Sequence, residues 1–197
     1  MADAKEEKRE LIIEKAIEAF ERFGLRKTTM DDIARGCGLR KASLYYYFAS
    51  KEEILAELIR RVGAEMHELM SGRVRAARTA TEAFRAFSDL SLTQNPRGQL
   101  LLRLGHEDLF GMLKHADATL NEVQTRHARL LGEVLERGRR EGEFIEVDAE
   151  SVARQLFSVV MAVHVAGVAE GAERLSENQA ALRGMMELVA RGLRKTG

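Results

Sequence analysis

TTMDDIARGCGLRKASLYYYFASK, residues 28–51, is the stretch that decides how this chain reads. It reads as two short helices joined by a tight turn, then the start of a third. The first helix, residues 30–36, is capped by Thr29, with Asp32 three positions on. A Thr hydroxyl accepts from a free backbone N–H, and the carboxylate suits the positive helix end. Gly36, Cys37 and Gly38 supply the break, because glycine reaches backbone angles that other residues avoid. The second helix, residues 40–47, sets Leu44 and Phe48 four apart and facing inward. Ser50, with Glu53 three on, caps the third.

The second helix has an unusual surface. Arg40, Lys41 and Ser43 crowd its first turn, with Ala42 leaving room among them. Tyr45, Tyr46 and Tyr47 follow, and they are the only tyrosines of the chain. Successive helical residues lie about 100° apart, so three rings in a row cannot share one face. At least one ring points outward, where a phenol O–H can donate to a phosphate oxygen. Long basic side chains at a helix start suit base edges in a major groove.

Residues 28–51 closely resemble the helix-turn-helix of the TetR family of one-component transcriptional regulators. The matching string is T-x-D-D-I-A-x-x-x-G-L-x-K-A-S-L-Y-Y-Y-F-x-S-K-E. Cys37 stands where the family usually has alanine, and Leu39 where it has valine. The resemblance implies an all-α chain: a three-helix DNA-binding domain over residues 1–50 and a helical effector-binding and dimerisation domain over residues 51–197. It implies a dimer that binds a palindromic double-stranded operator, acts as a repressor, and is released by a small effector. The expected DNA contacts are Arg40, Lys41, Ala42 and Ser43 at base edges, and Thr28, Thr29, Tyr46, Tyr47 and Lys51 at phosphates. Tyr45 is divided between packing and phosphate contact.

Composition fits this without requiring it. The chain has 197 residues, 45% apolar, with one proline and no tryptophan. The 31 basic and 31 acidic side chains balance, which argues against a broadly basic, non-specific nucleic-acid binder. Residues 26–51 differ, with six basic side chains against two acidic, a local charge of +4. A basic patch on a neutral body suits a selective DNA reader. The single Cys37 excludes an intrachain disulfide and a cysteine-based zinc framework. No signal peptide or membrane span is legible, and a cytoplasmic protein is expected.

Helical periodicity continues on both sides of the motif. Residues 5–23 carry Ile13, Ala16, Ile17 and Phe20 as one stripe, and Gly24 is expected to end that helix. Residues 51–70 form a helix expected to belong to both domains, which makes it a plausible mechanical link. Ser71-Gly72 reads as a break. Thr79 with Glu82 opens a helix to about residue 92. Residues 95–98, Asn-Pro-Arg-Gly, read as a loop. Gly105 and Gly111 suggest two short helices over 99–115, before a long amphipathic one over 118–141. The valine-rich residues 149–170 are too long for a strand and read as helix. Ser176 with Gln179 is expected to open the last helix.

The last two helices present broad apolar faces that suit either an internal core pair or a four-helix interface between two chains; the resemblance favours the interface. Its expected residues are Val152, Val159, Val163, Leu182, Met185, Met186 and Val189. A mostly apolar effector pocket is expected from Phe84, Phe87, Leu101, Leu104, Phe110, Leu113, Phe157, Met161 and His164, for a hydrophobic or amphipathic molecule. Each of these is equally a plain core residue. No nucleophile elbow, P-loop or dinucleotide fingerprint occurs, and the histidines lack a paired ligand on one helix. No catalytic residue, metal site or cofactor is therefore expected, and the chain is read as no enzyme. The alternative reading is a helical small-molecule-binding protein or enzyme with a vestigial helix-turn-helix.

Overall fold

The computed structural model describes residues 2–91, 96–107, 109–170 and 172–195, which are helical apart from short connections and one isolated bridge. The helices are α1 (Ala2–Lys27), α2 (Met30–Gly36), α3 (Lys41–Tyr45), α4 (Lys51–Ala76), α5 (Ala80–Ser91), α6 (Pro96–Glu107), α7 (Leu109–Arg140), α8 (Ala149–Glu170) and α9 (Ala172–Leu193).

The apolar stripes meet in two cores. Ile12 and Phe20 of α1, Ile33 of α2, Leu44 and Phe48 around α3, and Ile54, Leu55 and Leu58 of α4 bury together. Leu100 and Leu104 of α6 close that first core. The second core gathers Met70 and Val74 of α4, Phe84 and Phe87 of α5, Leu131 and Val134 of α7, Phe157 of α8, and Leu182 and Met186 of α9. Burying each such side chain is worth about 1.5–3 kcal/mol. Helix α4 feeds both cores, the first with its early turns and the second with its last.

Several expected breaks are absent. Helix α4 runs through Ser71-Gly72 because Met70, Ser71 and Val74 are all buried there. A helical glycine costs about 1 kcal/mol relative to alanine, less than that burial returns. The loop expected at 95–98 is helix from Pro96 onward; proline suits the first helical position, where its missing N–H is no loss. Asn95 lies outside the described residues. Gly105 and Gly111 both fall inside helices, and the division expected within 99–115 lies instead between α6, which ends at Glu107, and α7, which begins at Leu109. The expected short and long helices after Gly105 are one, the 32-residue α7. Helix α9 begins at Ala172, so Ser176 lies within it rather than capping it. Helix α8, by contrast, starts as expected, with Asp148 Oδ1 accepting from the Ser151 N–H at 3.0 Å.

The end of α1 is closed by polar contacts rather than by packing alone. Gly24 takes φ 74°, ψ 160°, and one further turn follows to Lys27. Thr28 is buried, and its hydroxyl is placed to donate to the carbonyls of Ala19 (3.1 Å) and Gly24 (2.8 Å). Lys51 Nζ donates to the carbonyls of Leu25 (2.7 Å), Arg26 (3.2 Å) and Thr28 (2.9 Å). An ammonium has three N–H donors, and all three are used.

A second polar knot ties the far end. The turn after α7 brings Phe144 over Gly138, where an added Cβ would meet the ring at 2.0 Å. The N–H groups of Glu143 and Phe144 both donate to the Gly138 carbonyl, at 2.9 and 3.0 Å. Glu143 Oε1 accepts from the Ala80 N–H (2.8 Å) and Oε2 from the Thr81 N–H (3.0 Å), so one carboxylate caps α5. Burial pushes that carboxyl up, but the bonds from Ala80 and Thr81 outweigh it and hold it below the ordinary range.

Two substitutions test these knots. Gly138→Ala forces the Phe144 ring out and is expected to lose about 1–3 kcal/mol in urea unfolding. Lys51→Met leaves three carbonyls without their charged donor and is expected to cost about 1–3 kcal/mol, read as a lowered melting temperature without DNA present.

Candidate nucleic-acid interface

The α2–turn–α3 unit is fixed by local chemistry before any ligand is considered. Thr29 Oγ1 accepts from the Asp32 N–H at 3.2 Å, and Asp32 Oδ2 accepts from the Thr29 N–H at 3.0 Å. The box is therefore reciprocal. The Thr29 hydroxyl and N–H, with help from Arg35, hold the Asp32 carboxyl below its usual range. Gly38 takes φ 64°, the left-handed conformation that the turn requires. Cys37 packs against the first core, and burial pushes its thiol up, away from the reactive thiolate.

Helix α3 spans only Lys41–Tyr45, with Arg40 at its N-cap and Tyr46 at its C-cap, shorter than the expected 40–47. Leu44 and Phe48 are fully buried and pin it to the first core. Pinning that face leaves Arg40, Lys41, Ala42 and Ser43 exposed together along the opposite edge. Lys41 stands 3.6 Å from Asp31, a surface pair that leaves its ammonium largely in water.

The three tyrosines have different surroundings. Tyr46 is 72% exposed, Tyr45 is exposed to a lesser degree, and Tyr47 is half-buried against the core. Tyr46 and Tyr47 meet edge to face at 5.2 Å. Helix α1 braces this end: Lys5 Nζ lies 5.5 Å from the Tyr46 ring centre, and the Arg9 guanidinium lies 4.2 Å from that of Phe48. Arg9 also donates to the Tyr47 carbonyl at 2.9 Å. Nothing in the spacing of the sequence joins residues 5 and 9 to residues 46–48.

Two expected phosphate contacts do not have free side chains. Thr28 is 1% exposed, with its hydroxyl turned to two carbonyls, and Lys51 is spent on the end of α1. Thr29 is exposed, but its hydroxyl is engaged with Asp32.

The expectations for the helical domain are also redistributed. Leu101 and Leu104 pack with the first core, whereas Phe84, Phe87, Phe157 and Met161 belong to the second, so these six divide between the two cores. Phe110, Leu113 and His164 lie outside the residues whose side chains are described. Two open clefts flank the domain. One of about 240 Å³ lies between α4 and α7, and one of about 280 Å³ lies between α5 and α9. Of the expected interface residues, Leu182 and Met186 are buried in their own chain, on a helix that packs against α5 and α8. Val159 is 42% exposed, and Val152, Val163, Met185 and Val189 are half-buried. Leu188, not foreseen, is 69% exposed. Among the described residues, no three His, Cys, Asp or Glu side chains are grouped to hold a metal ion, and no helix is long and apolar enough to cross a membrane.

The comparisons with known proteins divide along the same line. The family model "Bacterial regulatory proteins, tetR family" matches residues 12–58. The HTH-type transcriptional repressor KstR2 of Mycobacterium tuberculosis is 51% identical over 49 residues, 25% of this chain and 24% of that protein. The chain thus matches only about a quarter of that relative's length, all of it at the helix-turn-helix. Over the whole length the likeness is one of fold. The fatty acid degradation regulator FadR from Bacillus halodurans superposes with a TM-score of 0.76 at 21% identity, covering 96% of this chain and 97% of that one. A TetR-family transcriptional regulator from Pectobacterium atrosepticum gives 0.76 at 22%, covering 100% and 98%. The family's signature thus lies at the head of the chain, in residues 12–58, and the fold of solved TetR-family regulators runs through its whole length.

Proposed function

We propose that this chain is a DNA-binding transcriptional regulator that acts as a dimer on a palindromic operator, as a repressor released by a small molecule. The observation that carries the reading is the exposed edge of Arg40, Lys41, Ala42 and Ser43 on a helix pinned from behind by Leu44 and Phe48. A rigid helix with small and basic side chains on its free edge fits a major groove. Arg40 and Lys41 reach base edges, and Ala42 and Ser43 let the backbone approach. Tyr46, with Tyr45 and Tyr47 beside it, donates to phosphate. The match to a helix-turn-helix repressor over 49 residues supports this unit only.

The remainder of the proposal rests on the helical domain. The outward residues of α8 and α9, Val159 and Leu188 foremost, form the face that pairs two chains. Exposed Ala162, Ala180, Ala181 and Gly184 would let the helices come close. A hydrophobic or amphipathic effector enters among α4 to α8 and shifts α4, which carries the reading head. The protein works in the cytoplasm, where its DNA lies.

The test uses a duplex selected from a random pool by the wild-type protein, with binding followed by fluorescence anisotropy across a salt series. Lys41→Ala and Arg40→Ala are each expected to lose about tenfold or more and to relax base preference. Tyr46→Phe is expected to weaken all sequences alike by a smaller factor. Wild-type affinity and selectivity in all three variants would remove α3 as the reading helix.

A further inference from the structure

The helical domain holds a buried polar group that DNA reading does not use. His127, on α7, is 2% exposed. Its Nδ1 lies 2.7 Å from the Val123 carbonyl oxygen. A carbonyl only accepts, so Nδ1 carries the proton and Nε2 keeps a bare lone pair. That Nε2 is buried and finds no partner among the described residues. Burial above all, with His67 and Arg126, holds the ring below the ordinary histidine range, against the Val123 bond that favours its charged form. The ring is therefore neutral.

His67, on α4, stands edge to face with it, ring centres 5.5 Å apart, and its Nδ1 is likewise buried without a partner. The other face of His127 lies parallel to Phe157 at 5.5 Å, and Phe157 meets Phe87 at 6.5 Å. Two neighbouring imidazoles, each with a nitrogen unsatisfied among the described residues, thus stand at the end of an aromatic row. A buried acceptor left unpaired costs about 1–3 kcal/mol, and phenylalanine would fill the space without that cost. The α4–α7 cleft of about 240 Å³ is lined by Gly63, Ala64, Val123 and Arg126. The two histidines stand one helical turn beyond Gly63 and Val123 on the same two helices. His67 is half-buried, whereas its Nδ1 and His127 Nε2 are shielded from solvent.

We propose that His127 Nε2, with His67, forms the polar end of a small-molecule site between α4 and α7, for a ligand with an apolar body and an uncharged hydrogen-bond donor, a hydroxyl or amide N–H. The proposal rests on the reading that the helical domain takes an effector. A neutral imidazole nitrogen accepts from such a donor. A carboxylate would meet a lone pair unless the ring took on a charge, which burial opposes. The charges felt at His67 come from Arg126 and Arg75 against Glu133 and Glu68, so no net negative charge awaits a cation. Zinc would find two imidazoles and no third grouped ligand among the described residues.

The test labels the histidines of the full chain with nitrogen-15 and adds octan-1-ol or methyl octyl ether, two probes of similar apolar body of which only the first has a donor. The alcohol is expected to shift the His127 Nε2 resonance upfield and to bind about tenfold tighter than the ether. His127→Phe, which keeps the stacking, is expected to bind the two probes alike. An unmoved His127 signal, equal binding of the two probes to the wild type, or stoichiometric Zn²⁺ alone shifting both histidines would each overturn the proposal. The wild-type contrast stands even if the variant fails to fold. DNA affinity is read separately: alcohol binding without loss of DNA affinity defeats the effector reading and leaves the site standing. DNA release with His127 unmoved defeats the site.

Discussion

At Gly63 the backbone of α4 comes so near α7 that no side chain fits: a Cβ there would stand 2.7 Å from both methyl carbons of Val123. This contact sets how the two longest-reaching helices cross. Helix α4 then spends its early turns on the first core and its last turns on the second, so the two halves of the chain share one rod. Next to the crossing, Arg61 donates to Glu6 at 2.7 Å and to Glu57 at 3.0 Å, and also pairs with Glu10. It thereby ties the start of α1 to α4. Since α1 in turn braces α3 through Lys5 and Arg9, the pose of the Arg40–Ser43 edge follows from the pose of α4. Packed interiors shift between discrete arrangements rather than yielding smoothly, and the proposed effector mechanism draws on that property.

The N-terminal unit also shows how one residue type serves different ends a few positions apart. Lys41 and Lys51 are both lysines in the quoted motif. Lys41 sits on an edge whose other face is pinned by Leu44, so it stays in water. Lys51 sits where three carbonyls converge, and its charge satisfies the end of α1. Thr28 and Thr29 divide in the same way, one buried beneath Gly24 and the other capping α2. Three adjacent tyrosines are separated by rotation about a short helix: Tyr47 half-packs, Tyr46 is the most exposed, and Tyr45 lies between.

Legibility in the sequence followed the range of the forces. The caps of α2, α4 and α5, the turn at Gly38 and the inward pair Leu44 and Phe48 are local, and they were readable because cap and turn chemistry acts over three or four residues. The break expected at Ser71-Gly72, the loop at 95–98 and the division at Gly105 and Gly111 rest on glycine and proline alone. Tertiary burial decided the first, and a proline at a helix start the second. Side-chain direction was the other gap. That Thr28 and Lys51 turn inward depends on the α1 terminus about 25 residues before Lys51, and that His67 faces His127 depends on the α4–α7 crossing. Leu182 and Met186 lie on the inner side of α9 for a similar reason: the apolar pattern marks a face as buried without saying whether its own chain or another one covers it.

The proposed regulator presents two reading heads in one symmetric assembly. The direct measurement is a hydroxyl-radical footprint of the full-length protein on a duplex that it has selected. The account predicts two mirror-related protected patches, with their centres about 34–36 Å apart or a multiple of that, on one face of the helix. A single unsymmetrical patch, or no protection on the selected sequence, would contradict it.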